Sequence, residues 1–320
     1  MKTLIVTAPD KFEVIEAPIP QPGAGEVLLR VEAVTTCPQW DLHLRHNEPM
    51  FLGHQFHYPY TPGQPGHEAT GIIEVLGEGV SEFQIGERAS AWRDTGHDTP
   101  GCYAQFVVKK SADLIRVPSH LPFAATAPLE LAMCVGAQFL QLRKLNLIAG
   151  RKSAVMGLGP AGLIALQMMK AEGAQEVIGF DLSPARRELA LQLGADTAFN
   201  PREFGEQFPQ SGDAKIGCAI DCVGAKATVE WLMDHTRETV ALFGVQREDY
   251  TFAPRHYSLK LIGYPGHSRT AAEYAVRLME SGQLNLAPLV THQMPLEDYG
   301  HGVDLLEKQE AIKVCFLPWQ

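Results

Sequence analysis

The sequence is short of paired cysteines, of net positive charge and of long apolar runs, and each shortage excludes a class of protein. Six cysteines, Cys37, Cys102, Cys134, Cys218, Cys222 and Cys315, are scattered without a C-x-x-C pair. Neither a zinc ribbon nor a disulfide scaffold fits that spacing, and most of them should be plain buried thiols. A formal net charge of −10 leaves no basic footprint for a nucleic acid. The apolar start Leu4-Ile5-Val6 stops at Pro9-Asp10-Lys11, too soon for a signal peptide's hydrophobic region. The most apolar later stretch, Val155 to Met169, is broken by glycines and Pro160. It also falls short of the roughly 20 apolar residues that a bilayer span needs. A cytoplasmic protein with no membrane and no nucleic-acid partner is expected.

What is present is an ordinary globular composition, 45% hydrophobic and 20% charged over 320 residues, long enough for two domains. The first third reads as short strands punctuated by glycine and proline, among them Val27–Val34, Gly71–Leu76 and Tyr103–Val108, which suggests a barrel-like β domain. From about residue 123 strand-like and helical stretches alternate, the signature of a parallel sheet with crossover helices. Ala154–Met156, Glu176–Phe180, Cys218–Ile220, Val240–Phe243 and Leu259–Ile262 are its strands. A helix over about 271–281, a last helix and a terminal strand Ile312–Phe316 follow. The expected division is residues 1–134 with 264–320 for the β domain, and 135–263 for an inserted α/β domain.

Gly157-Leu158-Gly159-Pro160-Ala161-Gly162 is a G-x-G-x-x-G that follows a strand and opens a helix. The first glycine permits the tight turn, the second lets backbone approach a pyrophosphate, and the third lets helix pack on strand. The helix N-terminus adds free N–H groups and a positive dipole end. Asp181 ends the next strand at the separation of about 20 residues expected for a ribose-binding acid. A carboxylate there accepts from ribose hydroxyls and repels a 2′-phosphate, which favours NAD over NADP. Arg186 and Arg187 stand close enough to meet such a phosphate, which keeps the alternative open. Arg186, Val223, Gly244 and Val245 complete the expected cofactor residues.

His67 and Glu68 sit side by side at the entrance to a strand, with Cys37 upstream and Glu130 and Cys134 downstream. A thiolate, an imidazole and a carboxylate with an open fourth position make a reasonable catalytic zinc site. Neighbouring strand residues point to opposite faces, so His67 and Glu68 are not both expected as permanent ligands. Glu130 and Cys134, four apart, would share one helix face, and either can be the third ligand, with Glu130 preferred.

Together these motifs resemble the medium-chain dehydrogenase/reductase superfamily, in its zinc-dependent alcohol and polyol dehydrogenase branch. The resemblance runs through Pro20-x-Pro-Gly-x-Gly-Glu26-Val27, Gly66-His67-Glu68-x-x-Gly71, Gly77-Glu78-Gly79-Val80 and Gly86-Glu87-Arg88. It continues through the glycine loop, Asp181, Asp221-Cys222-Val223-Gly224 and Ile312-Lys313-Val314, so it covers essentially the whole chain. It implies an α/β protein with a GroES-like β-barrel catalytic domain and a doubly wound parallel-sheet Rossmann domain. It also implies Cys37 and His67 as zinc ligands, Glu68 as a catalytic carboxylate that either exchanges onto the zinc or stands just outside its ligands, and Glu130 where polyol-type members keep an acidic ligand. The implied partners are a small-molecule alcohol or carbonyl substrate and, by analogy, further copies in a homodimer or homotetramer.

Two departures stand out. The lobe that in many members carries four cysteines around a structural zinc is replaced by Ala91–Pro100, which has none, so one zinc is expected rather than two. The hydroxyl that usually follows the ligand cysteine is missing from Cys37-Pro38-Gln39-Trp40-Asp41-Leu42-His43. His43, whose reference pKa lies near working pH, is the expected catalytic proton relay, with Thr36, Gln39 or a water chain as alternatives. His46, His54 and His57, with Tyr58 and Tyr60, read as a loop lining the substrate cleft. The expected reaction is hydride transfer between an alcohol and NAD, polarised by zinc. The rivals are a zinc-free NADPH-dependent quinone or enone reductase and a non-enzymatic cofactor-binding protein.

Overall fold

The computed structural model describes residues 1–51, 53–204 and 216–320. Two compact units emerge, Met1–Met133 with Leu286–Gln320, and Cys134–Asn285.

In the N-terminal segment β1 (Lys2–Ala8) and β2 (Lys11–Glu16) form an antiparallel hairpin. Its turn uses Asp10 at φ 55°, a left-handed conformation that Asp tolerates better than most residues. Next, β3 (Glu26–Thr35) alternates with a largely buried pattern and serves as the spine of the unit. Directly after Cys37, α1 (Pro38–His46) opens with proline at its first position and closes at left-handed Asn47. It is followed by β4 (Glu68–Leu76), β5 (Arg88–Ala91), β6 (Phe106–Lys110) and β7 (Leu114–Arg116). The strand expected from Tyr103 starts only at Phe106. Cys102 donates to Gly66 O at 2.7 Å and Ala104 to Cys102 O at 2.7 Å, so that stretch is a turn.

The segment ends in α2 (Phe123–Thr126) and α3 (Leu129–Lys144). Phe123–Lys144 is apolar and long enough to cross a membrane, yet 78% of its apolar window is buried inside the protein. It is therefore a core element.

In the second unit, β8 (Lys152–Met156), α4 (Pro160–Ala171), β9 (Glu176–Phe180), α5 (Pro184–Gln192), β10 (Thr197–Phe199) and α6 (Pro201–Phe204) follow in order. After them come β11 (Ile216–Asp221), α7 (Lys226–His235), β12 (Thr236–Leu242), β13 (Lys260–Gly263) and α8 (Arg269–Glu280). The parallel sheet runs β10-β9-β8-β11-β12-β13, the order of a doubly wound dinucleotide-binding sheet, with its switch point between β8 and β11. Thr236 to Thr239 carry α7 straight into β12. Glu238 meets Arg151 at 3.0 Å, and Thr236 and Thr239 are buried. The second unit also reaches beyond residue 263, to Asn285. Tyr274 on α8 donates to Glu172 at 2.7 Å and Asn285 N to Gln167 Oε1 at 2.8 Å. Those ties hold the amphipathic α8 on this unit.

The tail returns with β14 (Val290–Met294), α9 (Tyr299–Glu307) and β15 (Lys313–Phe316). It completes a sheet ordered β14-β15-β3-β4-β5-β7, with β6 also on β3. All four residues of β15 are buried, Lys313 among them. Tyr103, Tyr299 and Phe316 pack together in the core of this unit.

Candidate metal centre and nucleotide cradle

The ends of β3 and β4 meet where Thr35 pairs with Glu68. That register sets Cys37, two residues past β3, beside His67, one residue before β4. One ligand atom each from Cys37, His67 and Glu68 lie within 4.8 Å of one another. His67 Nδ1 donates to Pro65 O at 2.8 Å, because a carbonyl can only accept. This fixes the tautomer and leaves Nε2 as the lone pair facing the centre. Glu130, at the start of α3, places Oε2 3.8 Å from His67 Nε2. Tetrahedral zinc with bonds near 2.0–2.3 Å separates its ligands by roughly 3.3–3.8 Å, so this spacing suits two ligands of one ion. Cys134 lies one turn further along α3 and belongs to the other compact unit.

The charge balance also suits a cation. Burial works to lower the His67 pKa. The hydrogen bond with Cys37 and the charges of Cys37, Asp94 and Glu130 override it and hold it well above its usual value. The thiol and the two carboxylates around this buried imidazole make a surplus of negative charge, which a divalent cation would neutralise. The donor set of thiolate, imidazole and carboxylate therefore fits zinc.

Glu68 is held differently. Its two oxygens accept from Lys313 Nζ at 2.7 and 2.6 Å and one also from Thr35 Oγ1 at 3.0 Å. Lys313 Nζ donates in addition to Thr36 O at 2.6 Å. Lys313 lies inside a motif legible in the sequence, but its partner is 245 residues away.

Asp41 anchors Cys37. Its carboxylate accepts from Cys37 N at 2.8 Å, from Tyr103 OH at 2.9 Å and from Tyr299 OH at 2.8 Å. Burial pushes its pKa up to about 6, against the pull of the two tyrosine hydroxyls and the His67 charge. The sequence signal for this role is an acid four residues past the candidate ligand cysteine.

His43, by contrast, is turned toward the end of α1, with Nδ1 3.1 Å from Glu48 O. His54 stands between histidines: burial lowers its pKa, and the charges of His97, His43 and His57 lower it further. Trp40 packs edge-on to His54 and Phe56 and lies 3.8 Å, ring centre to ring centre, from His97. Trp40, His54, Phe56 and His97 thus form one aromatic cluster.

Asp94 and His97 lie in the loop that replaces the cysteine lobe. With His67 they form a second group whose ligand atoms lie within 4.8 Å of one another. A His and an Asp three apart in a cysteine-free loop carried that signal.

In the second unit the glycine loop runs from β8 into α4. Gly157 has φ 86°, and a Cβ on it would lie 2.6 Å from Val223. A Cβ on Gly162 would lie 1.8 Å from Gly157 O, whereas one on Gly159 meets nothing within 4 Å. Gly159 is thus glycine for want of nothing inside the protein, and the open space above it is where a pyrophosphate would approach. Pro160 and Ala161 form the first turn of α4, whose free N–H groups would face a phosphate bound there. Asp181 Oδ2 accepts from Leu158 N at 2.7 Å and Oδ1 from Ser183 N at 2.8 Å, which aims the carboxylate back at the loop. Arg186 Nη1 is 3.9 Å from Asp181, while Arg187 is spent on the carbonyls of Asp181 and Leu182. Gly224 and Gly244 pack backbone on backbone, a Cβ on Gly244 lying 2.4 Å from Gly224 N. This brings the Val223 and Val245 loops together after β11 and β12. These residues fit a dinucleotide.

The N-terminal unit and the parallel sheet both match known families. Residues 23–119 match the alcohol dehydrogenase GroES-like domain and residues 160–280 the zinc-binding dehydrogenase domain. The chain belongs to the zinc-dependent alcohol dehydrogenase branch of the medium-chain dehydrogenase/reductase superfamily, a branch of zinc- and nicotinamide-linked oxidoreductases. Sorbitol dehydrogenase of Homo sapiens is 27% identical over 98% of this chain and 94% of its own. L-threonine 3-dehydrogenase of Bacillus subtilis is 27% identical over 95% and 94%. Among solved structures, galactitol-1-phosphate dehydrogenase from Escherichia coli superposes with a TM-score of 0.86 at 23% identity, covering 99% of this chain and 100% of that one.

Proposed function

We propose that this protein is a one-zinc, NAD-linked dehydrogenase that interconverts a polyol-type or secondary alcohol and its carbonyl product. The observation that carries this reading is the convergence of Cys37, His67 and the Glu130 carboxylate, 3.8 Å from His67 Nε2. An acidic third ligand, with relatives that bear the names of sorbitol and threonine dehydrogenases, supports a hydroxyl-rich substrate. Asp181, whose side chain accepts from Leu158 N in the glycine loop with Arg187 tied down beside it, supports NAD over NADP.

When bound, zinc supplies Lewis acidity toward the substrate oxygen and the nicotinamide supplies the hydride acceptor. The chain's own residues do the rest. Pro65 orients His67, Asp41 holds the Cys37 amide, and Lys313 keeps Glu68 beside the centre as an exchangeable carboxylate. The glycine loop and the α4 N-terminus hold the pyrophosphate. Trp40 and Phe56 shape an apolar wall for the substrate carbon chain. His43 is the group through which the alcohol proton leaves. The same reading has a cytoplasmic homodimer or homotetramer, consistent with six cysteines all present as free thiols. Analytical ultracentrifugation and cell fractionation check it.

The deciding experiment is zinc content by elemental analysis together with a polyol and diol panel assayed with NAD and NADP. The expected result is about one zinc per chain, the count for a catalytic site without a structural one, and reversible NAD-linked oxidation. Zinc-free protein that reduces quinones or enones with NADPH would overturn it.

A further inference from the structure

The loop that replaces the cysteine lobe carries a second set of metal donors. Asp94, His97 and His67 each offer a ligand atom within 4.8 Å of the others. The His97 side chain is only 9% exposed, and its Nε2 finds no hydrogen-bond partner among the described residues. That atom faces Asp94 Oδ2 at 3.3 Å, outside hydrogen-bond geometry. A buried ring nitrogen whose nearest polar neighbour is a poorly aligned carboxylate is under-satisfied, and a cation held between the two would satisfy both.

The surroundings present these donors rigidly. His97 Nδ1 is 2.7 Å from Tyr60 OH, the kind of outer partner that fixes a ligating imidazole and leaves Nε2 for a metal. Asp94 Oδ1 accepts from Gly96 N at 2.8 Å, which leaves Oδ2 as the outward oxygen. Gln64 Nε2 pins the loop by donating to Gly96 O at 3.2 Å and Thr99 O at 2.9 Å, and the Trp40 ring covers His97.

His67 is common to this group and to the group with Cys37 and Glu68. With Nδ1 committed to Pro65 O, it has one lone pair and can ligate one ion at a time. The two groups are therefore alternative stations for a single cation. They differ in chemistry: the first contains a thiolate, while the second is two imidazoles and a carboxylate, a facial set suited to divalent first-row metals.

We propose that Asp94, His97 and His67 form a second station for the divalent cation, which retains the ion near the centre when Cys37 does not hold it. The proposal rests on the reading of Cys37 and His67 as ligands of the resident metal, and its test separates the two ideas. Metal-free protein is loaded with cobalt(II). Bound cobalt is counted by elemental analysis, and the near-ultraviolet thiolate-to-cobalt absorption reports whether Cys37 is a ligand. In the wild type, one cobalt with that absorption is expected. Cys37→Ser, and Cys37→Ala as a variant with no oxygen donor, should still bind one cobalt without the absorption. Their dissociation constant should be weaker by about 10- to 100-fold. Adding Asp94→Asn and His97→Gln to either should abolish that binding, while those two changes alone should leave the wild-type absorption in place. Circular dichroism melts confirm that each variant is folded.

Cobalt lost outright in folded Cys37→Ser and Cys37→Ala protein overturns the second station and leaves the dehydrogenase reading standing. So does cobalt bound equally tightly with and without Asp94 and His97. Wild-type protein that binds one cobalt without thiolate absorption, and loses it with Asp94→Asn and His97→Gln, overturns Cys37 as ligand and upholds the station.

Discussion

Lys313 Nζ lies 2.6 and 2.7 Å from the two carboxylate oxygens of Glu68, with both side chains out of contact with solvent. The pair joins β15 to β4 beneath the metal centre. A third contact to the carboxylate, from Thr35 Oγ1, leaves it well satisfied. Removing one partner strands a buried charge, which typically costs about 3–5 kcal/mol. Lys313→Met should lower folding stability by that order in chemical denaturation. Lys313→Met with Glu68→Gln should recover much of the loss. Equal destabilisation by the single and double changes would show that packing around Lys313 matters more than the pair.

Asp41 gives a pH signature in the metal-free protein. Its folded pKa, pushed up to about 6, exceeds the ordinary 3.8, so its protonated form favours the fold. The associated stability is present in full below about pH 4 and is lost as pH rises through about 6. The full change amounts to about 3 kcal/mol at 1.36 kcal/mol per pKa unit. Asp41→Asn should remove this component. Denaturation of both metal-free proteins between pH 4 and 7 should therefore show Asp41→Asn gaining relative to wild type as pH rises. Parallel profiles would contradict the assignment.

The two glycines of the nucleotide loop should separate folding from binding. A methyl on Gly162 collides with Gly157 O at 1.8 Å, whereas one on Gly159 has nothing within 4 Å. Gly162→Ala should lower the melting temperature and weaken NAD together. Gly159→Ala should melt like wild type yet bind NAD at least about tenfold more weakly, a loss of about 1.4 kcal/mol. Undiminished NAD binding by Gly159→Ala, read by calorimetry, would place the pyrophosphate elsewhere.

Cofactor choice should move with Asp181. Replacing it with alanine removes the carboxylate that repels a 2′-phosphate and frees Arg186, now 3.9 Å from it. The ratio of kcat/KM for NADP to that for NAD should rise by about tenfold or more, and Asp181→Ala with Arg186→Ala should give back much of that gain. An unchanged ratio would assign discrimination to other residues.

The strand, glycine turn and helix of the proposed nucleotide cradle are legible in the sequence because they are contiguous. Each glycine there answers a local demand: a positive φ at Gly157, backbone contact at Gly162, ligand space at Gly159. Cys37, His67 and Glu130 were legible as ligand types through the family motifs around them. What they lean on was not. Asp41 collects Tyr103 and Tyr299 from 62 and 258 residues away, and a lysine in an apolar terminal strand announces no partner. Asp94 and His97 read as a loop because nothing in a short stretch says which way a turn will aim its side chains. The extent of the second unit was set by α8, whose buried face matched no boundary signal until Tyr274 met Glu172.

By itself, then, the sequence determined the elements whose physics is local: helix starts, the glycine loop, the alternating strands and the kinds of ligand available. The tertiary structure decided which charges are buried together, which lone pair of His67 faces the centre, and which loop supplies further donors. Those choices depend on strand register and packing between residues distant in the chain, where a displacement of one residue reverses the face on which a side chain lies.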